Sequence, residues 1–210
     1  MVAVIETKRG KSRAVRISPA DHGKRMSLGD FDRAIAAEGH HYELNKGVIE
    51  VSDIPSIIHA VVLRTIRLAF SSFENDNPDV IHFSGGGGEA KVLIGAYGSE
   101  RHPDWAVYIS PPPTDDPQPW NEWVPEIVVE VVSESSRLRD YEEKPPEYLA
   151  LGVKELWLVD LEKKVVIRKT RWRGLWKDNV LKGSQTISTT LLPGLSIPLK
   201  TIFATRKKKK

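Results

Sequence analysis

The stretch that most constrains the fold of this chain is residues 125–133. Its centre holds five β-branched apolar residues around one charge, Glu130, a pattern typical of a strand covered on both faces. A carboxylate in such a strand loses hydration, so it should be protonated, paired or bound to a cation. Glu130 therefore either faces outward at a sheet edge, pairs with an arginine, or serves a function.

Composition narrows the class of protein. The 210 residues suit one domain, and 40% apolar with 28% charged residues is ordinary for a folded globular protein. The chain has no cysteine, which excludes disulfides, thiolate zinc sites and a cysteine nucleophile. No apolar run approaches the ~18 residues of a membrane span, and the start lacks the apolar core of a secretory signal. We expect a cytoplasmic protein with no membrane partner.

The charges are unevenly distributed along the chain. Residues 206–210 carry +5 and residues 1–16 carry +4, so residues 17–205 carry −6 of the overall +3. Basic ends of this kind either hold nucleic-acid phosphates or are solvated, disordered ends. An acidic body suits a site that collects carboxylates around a metal ion. We predict a flexible basic lead-in over residues 1–25, one domain over 26–204 and a basic tail over 205–210.

Hydrophobic periodicity and turn residues predict the remaining elements. The segment 85–88 is four glycines and predicts a flexible connection, not a phosphate-binding loop, because no Lys-Ser/Thr pair follows it. Predicted helices are 28–39 capped by Ser27, 54–73 capped by Ser52 or Asp53, and 147–151 ended by Gly152. Predicted strands are 41–44 and 48–51 as a hairpin, 79–83, 90–96, 105–109, 155–160, 165–168 and 172–180, with a short final strand after 191–195.

Three polar residues lie at positions where the predicted strands and helices would bring their side chains close together. Asp104 follows Pro103 at the start of a buried strand, Glu130 lies inside the next one, and Lys144 stands just before a helix. Two carboxylates from neighbouring strands suit Mg²⁺, which prefers oxygen ligands and keeps several waters. Phosphodiester hydrolysis uses such a metal together with a lysine. Asp104 alone is equally typical of a residue that caps a turn.

Two further candidates depend on their surroundings. Glu43 lies in the predicted hairpin, on the opposite strand face from Tyr42 and Leu44, where a carboxylate is usually a surface charge. His59 falls at the border of the apolar face of the second helix. A border histidine is more often a structural hydrogen-bonding group than a catalyst, so it is retained only as a candidate.

The order of these motifs resembles that of a known family. The chain is similar to the Uma family, a branch of the PD-(D/E)XK restriction-endonuclease-like superfamily, over about residues 27–203, and the run from 125 to 160 carries the most specific part. The matching residues are Tyr42-Glu43-Leu44 with Gly47, His59, Pro103-Asp104, Val128 to Ser133, Asp140 with Lys144 and Tyr148, Gly152-Val153, Glu155 to Asp160, and Leu192 to Leu195.

The resemblance implies a fold and a site. The fold is α/β, a restriction-endonuclease-like core with a mixed central sheet flanked by helices and additional C-terminal strands. Asp104 and Glu130 would be metal ligands for Mg²⁺, with Mn²⁺ as a substitute, and Glu43 would complete the site. The superfamily lysine lies two residues after the second acid, where this chain has Val132, so the resemblance points to Lys144 in the following helix. The implied partner is nucleic acid, with DNA as the expected substrate.

Two departures keep other functions open. Pro145-Pro146 follows Lys144, and the acidic body offers little of the basic groove expected for duplex DNA. The alternatives to a metal-dependent endonuclease are a catalytically inactive nuclease-fold module that binds nucleic acid or protein, and a hydrolase of another phosphoester. The tryptophans at 120, 123, 172 and 176 suit either the face of a homodimer or a core, and both alternatives stay open.

Overall fold

The structure is a computed structural model and describes residues 15–204. The predicted tail 205–210 and the first fourteen residues of the predicted lead-in lie outside the described residues. The strands are β1 (Arg16–Ile17), β2 (Ile35–Ala36), β3 (His41–Asn45), β4 (Val48–Ser52), β5 (Phe83–Gly85), β6 (Val92–Ile94), β7 (Ser99–Arg101), β8 (Trp105–Tyr108), β9 (Ile127–Val132), β10 (Glu155–Asp160), β11 (Val165–Trp172), β12 (Leu175–Lys182), β13 (Thr186–Ser188) and β14 (Ser196–Pro198). The α-helices are α1 (Leu28–Asp32), α2 (Ile57–Asp76), α3 (Lys144–Leu151) and α4 (Leu199–Ile202), and a π-helical turn, Arg139–Glu143, leads directly into α3.

A mixed six-stranded sheet is the centre of the fold. Its order is β12-β11-β10-β9-β8-β5, and β9 pairs with β10 in parallel while its other neighbour, β8, is antiparallel. The parallel pair requires a crossover, which the π-helical turn and α3 supply. A second, four-stranded antiparallel sheet has the order β4-β3-β7-β6. The predicted mixed sheet flanked by helices, with additional C-terminal strands, is confirmed.

The central strand β9 is buried at all six residues. One of its faces packs with α2 in a large cluster that includes Ile66, Phe70 and Trp157, and the other packs with Tyr148 of α3. Each fully buried Val or Ile side chain contributes about 2 kcal/mol through loss of apolar surface from water. The strand therefore anchors both layers of helix, as its apolar run predicts.

The two N-terminal helices differ from their predicted bounds. Helix α1 is capped by Ser27 as predicted but ends at Asp32, since Ile35 pairs with Arg16 in the small β1–β2 sheet. Helix α2 begins after Ser56, whose hydroxyl accepts the amide of His59, and not after Ser52 or Asp53. Among residues 15–204, no helix combines the length and apolarity that a bilayer crossing requires.

The apolar face that the sequence predicts for α2 is partly wrong. It is expected to contain Ile54, Ile57, Ile58, Val61, Val62, Thr65, Ile66, Ala69 and Phe73. The buried stripe of the helix runs at intervals of three and four residues through His59, Val62, Ile66, Phe70 and Phe73. In this rotation of the helix His59 faces the sheet, and the isoleucines at the start of the helix therefore face solvent. The exposed apolar residues of this region are Ile54, Ile57, Ile58, Val61 and Leu68.

Backbone conformation explains where two strands begin. The strand predicted from residue 79 begins only at Phe83, because Asp79 has a φ of 69° and follows the end of α2. The strand predicted from residue 172 begins at Leu175, because Arg173 and Gly174 both have positive φ and form the tight turn between β11 and β12. The predicted hairpin over β3 and β4 is confirmed, with the positive-φ pair Lys46-Gly47 at its turn.

Part of the predicted lead-in is structured. Strand β1 lies within it, and Ile17 is buried against Phe31, Tyr42 and Leu44. The domain boundary at residue 26 stays a prediction. The residues before it that the structure describes, 15–25, pack on the hairpin of β3 and β4.

The glycine run is tightly packed where it passes the start of β8. A Cβ atom on Gly86 would lie 1.9 Å from the carbonyl oxygen of Asp104, whereas one on Gly88 would meet no heavy atom within 4 Å. The amide of Gly87 also donates to the carbonyl of Pro103 at 2.9 Å. Gly86 is therefore required by close backbone approach to Asp104, which the expectation of a flexible connection did not include.

The close approach of the two backbones predicts that a methyl group on Gly86 destabilises the protein. Gly86→Ala should lower the free energy of unfolding by about 2 kcal/mol or more, because the Asp104 backbone must move to admit the methyl. Urea unfolding of both alanine variants measures it. Gly88→Ala is the matched control, and equal stability of the two variants would contradict the close approach.

Candidate active site

The register of β8 against β9 brings Asp104 beside Glu130. Trp105 pairs with Val129 in antiparallel register, so Asp104, one residue before Trp105, comes level with Glu130. The amide of Val131 donates to Asp104 Oδ2 at 2.7 Å, which fixes this carboxylate against the central strand. Asp104 keeps 23% of its side chain exposed, whereas Glu130 keeps 2%.

Lys144 is the first residue of α3 and returns to the sheet. Its Nζ lies 3.1 Å from Glu130 Oε1 and 3.2 Å from Asp140 Oδ1. Pro145 and Pro146 open α3 directly after the π-helical turn Arg139–Glu143, and they donate no amide to that turn, whose last bond is the one from the Lys144 amide to the Arg139 carbonyl. The indole of Trp176 donates to the carbonyl of Pro145 at 2.9 Å and ties this turn to β12. The two prolines thus leave Lys144 directed at the sheet.

Sequence reasoning did not assign site roles to Asp140 and Tyr148. The hydroxyl of Tyr148 donates to Glu130 Oε1 at 2.7 Å, and both side chains are buried. Asp140, Lys144 and Tyr148 follow each other at intervals of four residues, which is the spacing of neighbours on one helical face. That spacing was the signal that could have grouped them with Glu130.

Glu43 lies beside Lys144 and is not a surface charge. Its Oε1 lies 3.6 Å from Lys144 Nζ and accepts the amide of His102 at 3.0 Å, while Oε2 lies 3.4 Å from the guanidinium of Arg101. Burial opposes ionisation of Glu43, but the charges of Lys144 and Arg101 prevail and lower its pKa to about 2. The carboxylate therefore stays ionised inside the protein.

Arg101 is a buried arginine that sequence reasoning missed. Its side chain has no exposed surface, and its Nε lies 2.8 Å from Glu147 Oε2, on α3. The same guanidinium lies 3.3 Å from Glu50 and donates to Asn45 Oδ1 at 2.8 Å. Burial alone would lower the pKa of Arg101, but the bonds and charges of the surrounding carboxylates raise it further above its ordinary value. Arg101 thereby joins β3, β4 and β7 to the helix that carries Lys144.

His59 contacts the site from α2. Its Nε2 lies 3.1 Å from Asp104 Oδ2, the oxygen that also accepts the amide of Val131. Burial disfavours a charged imidazole, but the hydrogen bond and charge of Asp104 raise the pKa of His59 above its ordinary value. All five residues selected from the sequence therefore belong to one contiguous network, and their roles stay predictions.

Carboxylates outnumber cations at the centre of this network. Burial raises the pKa of Glu130, and neighbouring carboxylates add to the rise against the opposing charge of Lys144. Burial alone would lower the pKa of Lys144, but Glu130, Glu43 and Asp140 raise it well above its usual range. One ammonium group thus faces three carboxylates at close range, and Asp104 adds a fourth negative charge nearby.

The donor set fits a magnesium ion. Asp104 Oδ1 and Glu130 Oε2 accept no hydrogen bond from any residue within 15–204, so one oxygen of each carboxylate is open to a cation. Over the same residues, no three histidine or acidic side chains form a ready metal cage. Mg²⁺ is commonly held by one or two carboxylates and completes its shell with water. A second cation would also offset the excess negative charge.

The fold and site together define a class of protein. A mixed sheet flanked by helices, with an acid before one strand and an acid inside the next, is a restriction-endonuclease-like arrangement, and here the lysine beside the acids comes from the following helix. The sequence matches the Uma2 family, described as "Putative restriction endonuclease", over residues 28–200. Because that match covers most of the chain, this protein belongs to the Uma2 family. None of the curated proteins compared with the chain matches it.

A solved structure shares the fold. It is the crystal structure of "a putative nuclease belonging to DUF820" from Anabaena variabilis, which has 18% sequence identity and a TM-score of 0.69. The similarity covers 85% of this chain and 97% of the other chain. At this identity the similarity shows the fold.

The buried Arg101–Glu147 pair predicts a large effect of one charge. Glu147→Gln should lower the free energy of unfolding by about 3 kcal/mol, because it leaves the guanidinium undercompensated where water does not reach. Glu162→Gln is the matched control, since Glu162 pairs with Arg137 at the surface and keeps 75% of its side chain exposed. Urea unfolding should show no change for the control within error. Equal stability of both variants would contradict the structural role of Arg101.

Proposed function

We propose that this protein is a metal-dependent endonuclease that hydrolyses phosphodiester bonds in nucleic acid, with DNA as its substrate. The observation that carries the proposal is the convergence of Asp104 and Glu130, at two neighbouring strands, with Lys144 at the start of α3, which leaves two carboxylate oxygens open. Membership of the Uma2 family supports a nuclease. The buried charges also support an active site, because natural proteins seldom bury several ionised groups together without a function for them.

Asp104 and Glu130 would hold the Mg²⁺, or Mn²⁺ in its place. When bound there, the ion supplies charge neutralisation at the phosphoryl group and a water of lowered pKa. His59 and the amide of Val131 both contact Asp104 Oδ2, so they orient the carboxylate with Oδ1 free. Tyr148 and Lys144 both contact Glu130 Oε1 and leave its Oε2 free in the same way.

Lys144 is the residue of the chain that acts on the substrate. An ammonium group beside the metal carboxylates attracts a non-bridging phosphate oxygen and stabilises the charge that grows during attack by water. Its position is fixed by Asp140 on the preceding π-helical turn and by Glu43 on β3. Glu43 is therefore a positioning residue for Lys144. Because Glu43 is ionised, it attracts the ammonium group, which would otherwise contact only Glu130 and Asp140.

The proposal predicts metal-dependent cleavage. Wild-type protein should cut labelled DNA in Mg²⁺ or Mn²⁺ and not in EDTA. Asp104→Ala, Glu130→Ala and Lys144→Ala should each reduce the rate by about 100-fold or more, because each removes a group that acts on the transition state. Folding of each variant is checked by circular dichroism, and Glu122→Ala, at an exposed acid, is the control.

The same measurement separates the competing functions. Single- and double-stranded DNA, RNA and a small phosphodiester are tested side by side. Cleavage of the small ester alone would identify a hydrolase of another phosphoester. No cleavage of any substrate by folded wild-type protein would contradict a nuclease and favour the inactive binding module.

Metal binding gives a test that needs no activity. At a concentration of Mg²⁺ about 100 times its dissociation constant, binding should stabilise the folded protein by about 2.7 kcal/mol, which is measured as a rise in the thermal midpoint. Glu130→Gln should abolish the rise, since it removes one ligand charge. Glu162→Gln, at a surface acid, should retain it. An equal rise in both variants would contradict the assigned ligands.

Two broader expectations belong to the same proposal. We infer a cytoplasmic location, which suits an enzyme without cysteine that acts on nucleic acid. A homodimer stays a prediction. Trp123 is buried against Tyr108, whereas Trp172 keeps 62% of its surface exposed, so the tryptophans considered for a dimer face have different environments.

A further inference from the structure

The hairpin of β11 and β12 is strongly basic although the body of the protein is acidic. Residues 163–182 contain eight lysines and arginines and one acid, Asp178. This segment, which is the hairpin together with the two lysines that precede β11, therefore carries +7, while residues 17–205 as a whole carry −6. β12 is also an edge strand of the six-stranded sheet. The body of the protein is acidic overall, and its basic surface is concentrated at this hairpin.

Three cations at the end of this hairpin lack an acidic partner. Arg171, Arg173 and Lys177 are exposed, and none pairs with a carboxylate within the described chain, 15–204. Lys169, two residues before Arg171, does pair with Asp178 at 2.8 Å. Arg168 and Lys182, further from the turn, also have no carboxylate partner within residues 15–204, and the three cations at the end of the hairpin repel one another unless an external anion lies between them.

The end of the hairpin projects beyond its neighbouring strand. Glu155, the first residue of β10, pairs with Thr170, and the amide of Arg171 donates to the carbonyl of Lys154 at 2.9 Å, so the hairpin extends past this neighbour from Trp172 to Leu175. Trp172 and Leu175 pair directly across the tip and keep 62% and 70% of their surface exposed. The guanidinium of Arg173 lies 5.4 Å from the Trp172 ring. The tip thus presents two large apolar side chains to solvent, which is costly for a surface without a partner.

Strand alternation places cations on both faces of this ribbon. Lys177 pairs with Thr170, so it shares a face with Trp172, while Arg171 points to the opposite face. Arg173 lies at the turn itself. Trp176 shares the face of Arg171 and is bonded to the Pro145 carbonyl of α3, so this face is open only around the exposed Arg171. Cations that flank apolar side chains at the tip match a groove that has a phosphate strand on each side.

We propose that the tip of this hairpin, residues 171–177, docks into the major groove of duplex DNA; the inference rests on the proposed function and names how its substrate is held. The B-form major groove is about 12 Å wide and admits a two-stranded β-ribbon. Arg171 and Lys177 contact the phosphates on the two sides, and Trp172 with Leu175 contacts base edges. The major groove of A-form RNA is too narrow and deep for this arrangement.

The hairpin is rigidly connected to the candidate active site. Glu130 pairs with Leu158, Leu158 with Ile167, and Ile167 with Val180, so one row of the sheet runs from the site to β12. Three strand spacings, about 14 Å, separate the two ends of this row, and the tip of the hairpin lies five residues further along β11, about 17 Å from the row. A single duplex is long enough to contact both, and the sheet keeps their separation fixed.

Binding is measured with the full chain in EDTA, by fluorescence anisotropy of a labelled duplex DNA over a series of salt concentrations. The hairpin variant carries Arg171→Gln, Arg173→Gln and Lys177→Gln. Each lost phosphate contact reduces the slope of log affinity against log salt by about one, so the slope should fall by two to three, and affinity at low salt by about 100-fold or more. The control variant, with the same change of net charge, carries Arg25→Gln, Arg33→Gln and Arg64→Gln, and its slope should change by less than one.

The outcomes separate this inference from the proposed function. Equal slopes for the hairpin and control variants would overturn the docking site, whether or not the protein cuts DNA. Loss of binding in the hairpin variant, with wild-type protein that does not cut, would support the docking site and contradict the nuclease. Equal binding of duplex RNA, or tighter binding of anionic vesicles than of DNA, would overturn DNA as the partner. Self-association of the hairpin variant with unchanged DNA affinity would show that the cations only protect an edge strand.

Discussion

The ammonium group of Lys144 holds the centre of this protein together. It lies within 3.6 Å of carboxylates from a strand of each sheet, Glu130 and Glu43, and from the π-helical turn, Asp140. A buried charge cluster of this kind is costly unless every member has a partner, so its geometry is tightly restricted. The six-stranded sheet, the four-stranded sheet and the crossover can satisfy the cluster only in one arrangement. The position of each element is therefore coupled to a site that an apolar core alone would not require.

A second buried cation, Arg101, supports the position of Lys144. Arg101 is fully buried and bridges the hairpin of β3 and β4 to Glu147 on α3, one helical turn from Lys144. The network thus has two layers, in which Lys144 faces Glu130 and its neighbouring carboxylates and Arg101 fixes the elements that present Lys144 and Glu43. Gly86 performs the same task for Asp104 by allowing two backbones to lie in contact. Stability and function consequently depend on the same buried charges, and mutation of the supporting layer should reach the site indirectly.

The sequence predicted those features that depend on neighbours in the chain. The apolar run at 125–133 predicted a covered strand, Gly152 ended α3, and the Lys46-Gly47 turn defined a hairpin, because each is a local pattern. It placed Asp104, Glu130 and Lys144 close together only through the expected order of strands and the family resemblance. The predicted inward face of α2 was partly wrong, since His59 and its contact with Asp104 set the rotation of the helix, and that contact is not local. Arg101 was missed for the same reason: nothing around residue 101 signals a buried arginine, because its partners lie 46 to 58 residues away.

By itself, the sequence determined the family, the central strand, and the acids and lysine of the candidate site. It also determined the net charge of the tails and of the body. All of these depend only on residue type and spacing along the chain. Tertiary structure decided which oxygens remain open, which carboxylate holds which cation, and that unpaired basic residues gather at the tip of one hairpin. Those outcomes depend on strand register and on burial, because a charge behaves according to the groups that surround it in space. Glu43 shows the difference: in the sequence it resembles a surface carboxylate, and in the structure it is a buried anion that fixes Lys144.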